Sequence, residues 1–154
     1  MAPSPDPATV NTKLLTEMRK IYNNNEKKYS GEEYDFLNVK LQIFYNCCTT
    51  IGLPDTEYAK AFSCMLKRRT SLFYYDKIAG RGYNFKAILI RMREHFETKE
   101  SYQKYLSEWR ETTLQKTISE NSSKTRSECF QIMVDKLLKV QQGLTREYQF
   151  ESNI

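Results

Sequence analysis

The residue types able to do covalent or metal chemistry are few: one histidine, His95, and four cysteines, Cys47, Cys48, Cys64 and Cys129. Nucleophile–base pairs and transition-metal sites are built from such groups. Their spacing argues against both. No C-x-x-C occurs, and the adjacent Cys47 and Cys48 cannot bridge each other without strain. A Cys–His pair would require His95 to meet a cysteine in space, which spacing alone cannot establish. Neither G-x-x-x-x-G-K-[ST] nor G-x-G-x-x-G is present, and Gly80-Arg81-Gly82 reads as a turn. The paired acids Glu32-Glu33 fall at an expected helix start, where acids serve capping and the helix dipole. The expectation is a non-enzymatic protein with no catalytic residue, metal, cofactor or small-molecule substrate. The cysteines read as reduced core thiols, and His95 as a surface or boundary residue near a helix C-terminus.

The remaining chemistry is positive charge. The chain carries +5 over 154 residues, but Met65 to Arg93 holds Lys67, Arg68, Arg69, Lys77, Arg81, Lys86, Arg91 and Arg93 against the single acid Asp76. That segment is +7, which leaves −2 for the rest. Two helices packed as a hairpin around Gly80 would bring these cations to one surface able to hold phosphates. The alternative is an ordinary solvated helix face. Phe73, Tyr74, Tyr75 and Tyr83 interleave with the cations, and helical spacing makes most of them core.

The elements that must position these groups are helical. Only five glycines and four prolines occur, and three of the prolines precede residue 8. Asp6-Pro7 suits a helix start, followed by Val10, Leu14, Met18 and Ile21 on one face. Ser30-Gly31-Glu32-Glu33 matches a capping box ahead of Tyr34, Leu37, Leu41, Phe44, Cys48 and Ile51, with Gly52 and Pro54 as the stop. A third helical region runs from near Asp55 to Ile78, with a break expected around Thr70. Asn84 caps a fourth helix with apolar face Phe85, Ile88, Leu89, Met92 and Phe96. Thr98 caps a fifth, carrying Tyr102, Tyr105, Leu106 and Trp109. Thr125 with Glu128 opens a sixth, whose stripe is Phe130, Met133, Val134, Leu137, Gln141, Leu144 and Tyr148. The last two helices, joined by a short loop, should form a helical hairpin. Tyr105 and Trp109 are interface anchors if that hairpin seeks a partner, and local core if it does not.

The order of these residues resembles the retrotransposon Gag family. It runs through Tyr29-Ser30-Gly31, Phe36 to Cys48, Gly52-Leu53-Pro54-Asp55, Phe62-Ser63-Cys64-Met65-Leu66-Lys67, Phe73-Tyr74-Tyr75, Tyr83-Asn84-Phe85 and Met92-Arg93-Glu94-His95-Phe96. Tyr105-Leu106-Ser107-Glu108-Trp109-Arg110, followed by Glu128-Cys129-Phe130, is similar to Gag-like open reading frames of fungal retroelements. The likeness spans about residues 29 to 148. The zinc knuckle C-x-x-C-x-x-x-x-H-x-x-x-x-C of full Gag proteins and the aspartic-protease triplet D-[ST]-G are absent. The resemblance therefore implies the capsid segment alone.

It implies an all-α fold of about six helices: a tail over 1–8, a capsid-like bundle over 9–97, a helical hairpin over 98–150 and a tail over 151–154. It further implies a structural, self-assembling protein with an RNA partner. A domesticated effector or adaptor for a cellular or host protein is the first alternative, and a helical RNA-binding domain the second. No apolar run approaches the roughly 20 residues of a membrane span, and the start, Met-Ala-Pro-Ser-Pro-Asp-Pro, lacks the basic and apolar regions of a secretory signal. A cytoplasmic location is expected.

Overall fold

The computed structural model describes residues 7–151, with side chains described over 10–144. The expected Asp6 cap, the stripe position Tyr148 and most of both tails lie outside these limits. Eight α-helices and no strand occur among the described residues: α1 (Pro7–Ile21), α2 (Leu37–Ile51), α3 (Tyr58–Ala61), α4 (Arg69–Lys77), α5 (Phe85–Phe96), α6 (Lys99–Glu111), α7 (Leu114–Glu120) and α8 (Arg126–Glu151). Short 3-10 turns at Asn25–Lys27, Asp55–Glu57 and Phe62–Met65 fill the connections. The chain divides into two compact units, residues 1–96 and 97–154.

The first unit is organised on α2. Leu37, Leu41, Phe44, Cys47 and Cys48 are buried along one side of it. Met18 from α1 and Tyr22 just after it, Phe62 and Met65 from the third region, and Ile88, Leu89, Met92 and Phe96 from α5 close on that face. Gly52 ends α2 in the left-handed conformation at φ 76°, where its N–H reaches back to the Cys48 and Thr49 carbonyls.

The start of α2 differs from the capping box expected at Ser30. Ser30 is buried, and both its N–H and its hydroxyl donate to Asp35 Oδ2, at 2.8 and 2.6 Å. The Ser30 hydroxyl oxygen in turn accepts the Glu32 N–H at 3.2 Å. Asp35, an acid five residues on, thus takes the serine that would have capped a helix, and the turn closes on itself. Tyr34 enters the left-handed region at φ 65°, and the helix begins only at Leu37, behind Phe36.

The third region is four short pieces, two α-helical and two 3-10, rather than one helix. It breaks just before Thr70, where Leu66 is extended and Arg68 takes φ 54°. The break lets Leu66 form a single parallel bridge with Tyr29. Tyr29 donates its N–H to the Met65 carbonyl at 2.6 Å, and its own carbonyl accepts from the Lys67 N–H at 3.2 Å and from Thr70 Oγ1 at 2.7 Å. The fully buried Thr70 is therefore a strut between the α1–α2 loop and α4. Gly80 and Gly82 turn the chain with positive φ, and Asn84 caps α5 by accepting the Ala87 N–H at 2.8 Å.

The second unit is not the two-helix hairpin read from the sequence. A third helix, α7, lies between its two expected members. It is capped by Thr113, whose Oγ1 accepts the Lys116 N–H at 3.2 Å. Thr98 and Thr125 cap α6 and α8 as expected, accepting the N–H groups of Ser101 and Glu128 at 3.2 and 3.1 Å. α8 packs on both α6 and α7. Among its described side chains Cys129, Val140 and Leu144 are buried, with Met133 and Leu137 half-buried between them. The spacing 4-4-3-4 turns that seam away from Phe130, which the sequence had placed on it.

Candidate interaction surfaces

The thiols sit inside the first unit or inside the second. Cys47, Cys48 and Cys129 are buried, Cys64 is half-buried, and all four are free. Burial pushes the Cys48 thiol from its ordinary 9.0 up to about 12, with Cys47 adding to the shift. Cys64 is raised by burial as well, although the Arg19 guanidinium pulls against it. Buried neutral thiols are poor nucleophiles at neutral pH. The raised Cys48 also sets a direction for stability. Its neutral form is held in the folded state while the unfolded thiol ionises first, so this contribution is complete below pH 9 and is lost as pH rises through about 12. Urea midpoints should therefore fall above pH 9, and Cys48→Ala should flatten the fall by at most about 1.4 kcal/mol per pH unit. An equal fall in the variant would remove Cys48 as its source.

The eight cations of the basic segment do not share one surface. Arg91 and Arg93 are two residues apart on α5, hence about 200° apart around its axis. Arg93 turns toward α2, where its Nη2 donates to Asn38 Oδ1 at 2.7 Å. Lys86 is seven residues, close to two full turns, before Arg93 and shares that side. Lys67 donates from Nζ to the Asn25 carbonyl at 3.1 Å, and Arg68 is exposed in the break before α4.

Of the other four, Lys77, Arg81 and Arg91 line the open groove between α4 and α5, and Arg69 stands about two turns before Lys77 on α4. Arg69, Phe73 and Lys77 form an i, i+4, i+8 row on α4, and Arg91 and His95 an i, i+4 row on α5. Phe73 and His95 stack across the groove, with ring centroids 4.0 Å apart and planes 10° from parallel. At one end Arg69 lies over the Phe96 ring, 5.2 Å from its centroid. Toward the other, the Arg91 guanidinium lies over the Tyr83 ring at 4.0 Å. Arg81 is held by a bond from its Nη2 to the Asp76 carbonyl at 2.9 Å. Leu72, Phe73, Asp76, Lys77, Arg81, Tyr83, Arg91 and His95 line the open groove. Two acids temper its charge: Asp76, paired with Lys77 at 3.6 Å, and Glu94 at the edge. His95 and Tyr83 carry no formal charge and so stood outside the basic set, although their spacing to Arg91 is plain in the sequence.

In the second unit Tyr105 is buried and serves the local core, while Trp109, one turn further along α6, is 37% exposed. The larger apolar surface is on α8. Phe130 is 52% and Leu138 56% exposed, with half-buried Val134 midway between them. At i, i+4, i+8 these three form an outer stripe beside the buried seam.

Among the described residues no helix is long and apolar enough to cross a membrane, and no group of three or more His, Cys, Asp or Glu side chains could hold a metal ion. Compared with protein-family models, with curated proteins and with solved structures, the chain matches none.

Proposed function

We propose that the protein is a non-enzymatic structural module whose activity is association with further copies of itself, in the manner of the Gag capsid segment its sequence resembles. The outer stripe of α8 carries this reading. Large apolar side chains that stay exposed in a row mark association surfaces more often than scattered ones do. This row is also self-complementary. Two α8 helices laid antiparallel across a twofold axis at Val134 set Phe130 of each against Leu138 of the other.

The magnitude decides how such an interface behaves. Full burial of a Phe or Leu side chain is worth about 1.5–3 kcal/mol. The half-exposed Phe130 and Leu138 of two copies therefore supply roughly 3–6 kcal/mol together. Lost translational and rotational freedom costs about 4–15 kcal/mol. One stripe alone gives a weak, concentration-dependent association, and larger assemblies need several interfaces per copy.

Size-exclusion chromatography with light scattering, over a concentration series, tests the reading. The expected result is a mass that climbs from 18.3 kDa toward discrete multiples as concentration rises. A single 18.3 kDa species throughout would overturn self-association. The stripe would then be assigned to a different protein, and the adaptor reading would replace this one.

A further inference from the structure

We infer that the groove between α4 and α5 is a binding site for single-stranded nucleic acid, gripping backbone phosphates with Arg69, Lys77, Arg81 and Arg91 and stacking a base on the Arg91–Tyr83 pair. This inference stands apart from self-association, which rests on the other unit.

Three observations carry it. The first is linear order. α4 and α5 run antiparallel, since Arg69 at the start of one lies over Phe96 at the end of the other. Eight residues of helix separate Arg69 from Lys77, about 12 Å. Lys77, Arg81 and Arg91 line one open groove and Arg69 extends the positive charge back along α4, which suits a polyanion more than one small anion.

The second is the flat platform. The Arg91 guanidinium lies over the Tyr83 ring, 4.0 Å from its centroid, and Arg91 is exposed. A guanidinium held this way offers a base both a stacking face and a charge. Leu72, 73% exposed at the rim, adds an apolar surface for the same base.

The third is local charge. The three lining cations, Lys77, Arg81 and Arg91, face two acids, Asp76 and Glu94, and Asp76 is engaged with Lys77. Net positive charge persists along the groove. An acidic peptide would use the cations but leave the platform idle, and a duplex would keep its bases paired and away from it.

The test is fluorescence anisotropy of a labelled single-stranded oligouridylate with the full chain over a salt series. Lys77→Ala/Arg81→Ala/Arg91→Ala should lose most of the affinity, and its log K against log salt should flatten by about 2, at about 0.7 for each phosphate left without its cation. Lys13→Ala/Lys86→Ala/Lys124→Ala removes the same charge from exposed sites outside the groove and should change the affinity by less than about twofold. Arg91→Lys keeps the charge and gives up the plane. It should weaken binding about tenfold with the salt slope unchanged. Far-UV circular dichroism of each variant separates lost binding from lost folding. Equal losses in the groove and control triples would overturn the site. Polyglutamate or a duplex of the same length competing as well as the single strand would overturn the ligand.

Discussion

Gly31→Ala should destabilise the first unit by roughly 2–5 kcal/mol, a large part of the 5–15 kcal/mol that holds an ordinary domain together. Two costs add. Gly31 sits at φ 72°, a left-handed conformation that charges an L side chain about 1–2 kcal/mol. A Cβ there would also lie 2.7 Å from Phe96 Cδ1 and 3.0 Å from Thr70 Cγ2. Neither neighbour can withdraw cheaply. Thr70 is fully buried and bonded to the Tyr29 carbonyl, and Phe96 is packed edge-on against Tyr29 and Phe73, at 6.1 and 5.3 Å. Overpacking of that kind costs about 1–3 kcal/mol. Gly52 supplies the control, because it has a similar φ of 76° but nothing within 4 Å of its Cβ position. Gly52→Ala should cost about 1–2 kcal/mol through conformation alone. Equal urea midpoints for the two variants would show that the Gly31–Phe96 approach is not tight.

Phe44→Ala should cost about 3–5 kcal/mol. Phe44 is completely buried at the centre of the largest aromatic cluster, stacked with Phe85 at 5.9 Å and edge-on to Tyr58 and Phe62 at 5.7 and 6.4 Å. Those partners come from three other parts of the unit: α5, α3 and the 3-10 turn after it. Truncation leaves a cavity walled by rigid rings, which collapse poorly, so the cost belongs at the high end for a large-to-small change. Phe44→Leu refills most of the volume and should recover more than half of the loss. A Phe44→Ala cost below about 1 kcal/mol in urea unfolding would mean that the cluster is not the keystone of the first unit.

Where apolar period and cap chemistry agreed, the fold was legible in the sequence. The body of α2, its stop at Gly52, the Asn84 cap and the buried face of α5 follow from residue spacing alone. The failures are equally specific. Ser30 looked like a cap because periodicity cannot see Asp35 reaching back to claim it. α7 has only Leu114 and Ile118 as aliphatic residues in seven, too few to show a period, and so was not distinguished as a helix of its own. On α8 the sequence merged two adjacent stripes into one, and only packing against α6 and α7 separates the buried Cys129–Val140–Leu144 seam from the exposed Phe130–Leu138 row. The basic segment divides for a related reason. A charge count along the chain treats Arg91 and Arg93 alike, whereas a helix points them to opposite sides. Cations and aromatics taken together at i, i+4 single out Arg69–Phe73–Lys77 and Arg91–His95.

Self-association through α8 is tested most directly by light scattering on wild type and on Phe130→Glu/Leu138→Glu at matched, high concentration. Both side chains are more than half exposed, so the substitutions leave the buried seam of the second unit in place, which circular dichroism checks. The predicted result is oligomers in the wild type and a single 18.3 kDa species in the variant. Oligomers of unchanged mass in the variant would contradict the account, because association would then run through some other surface.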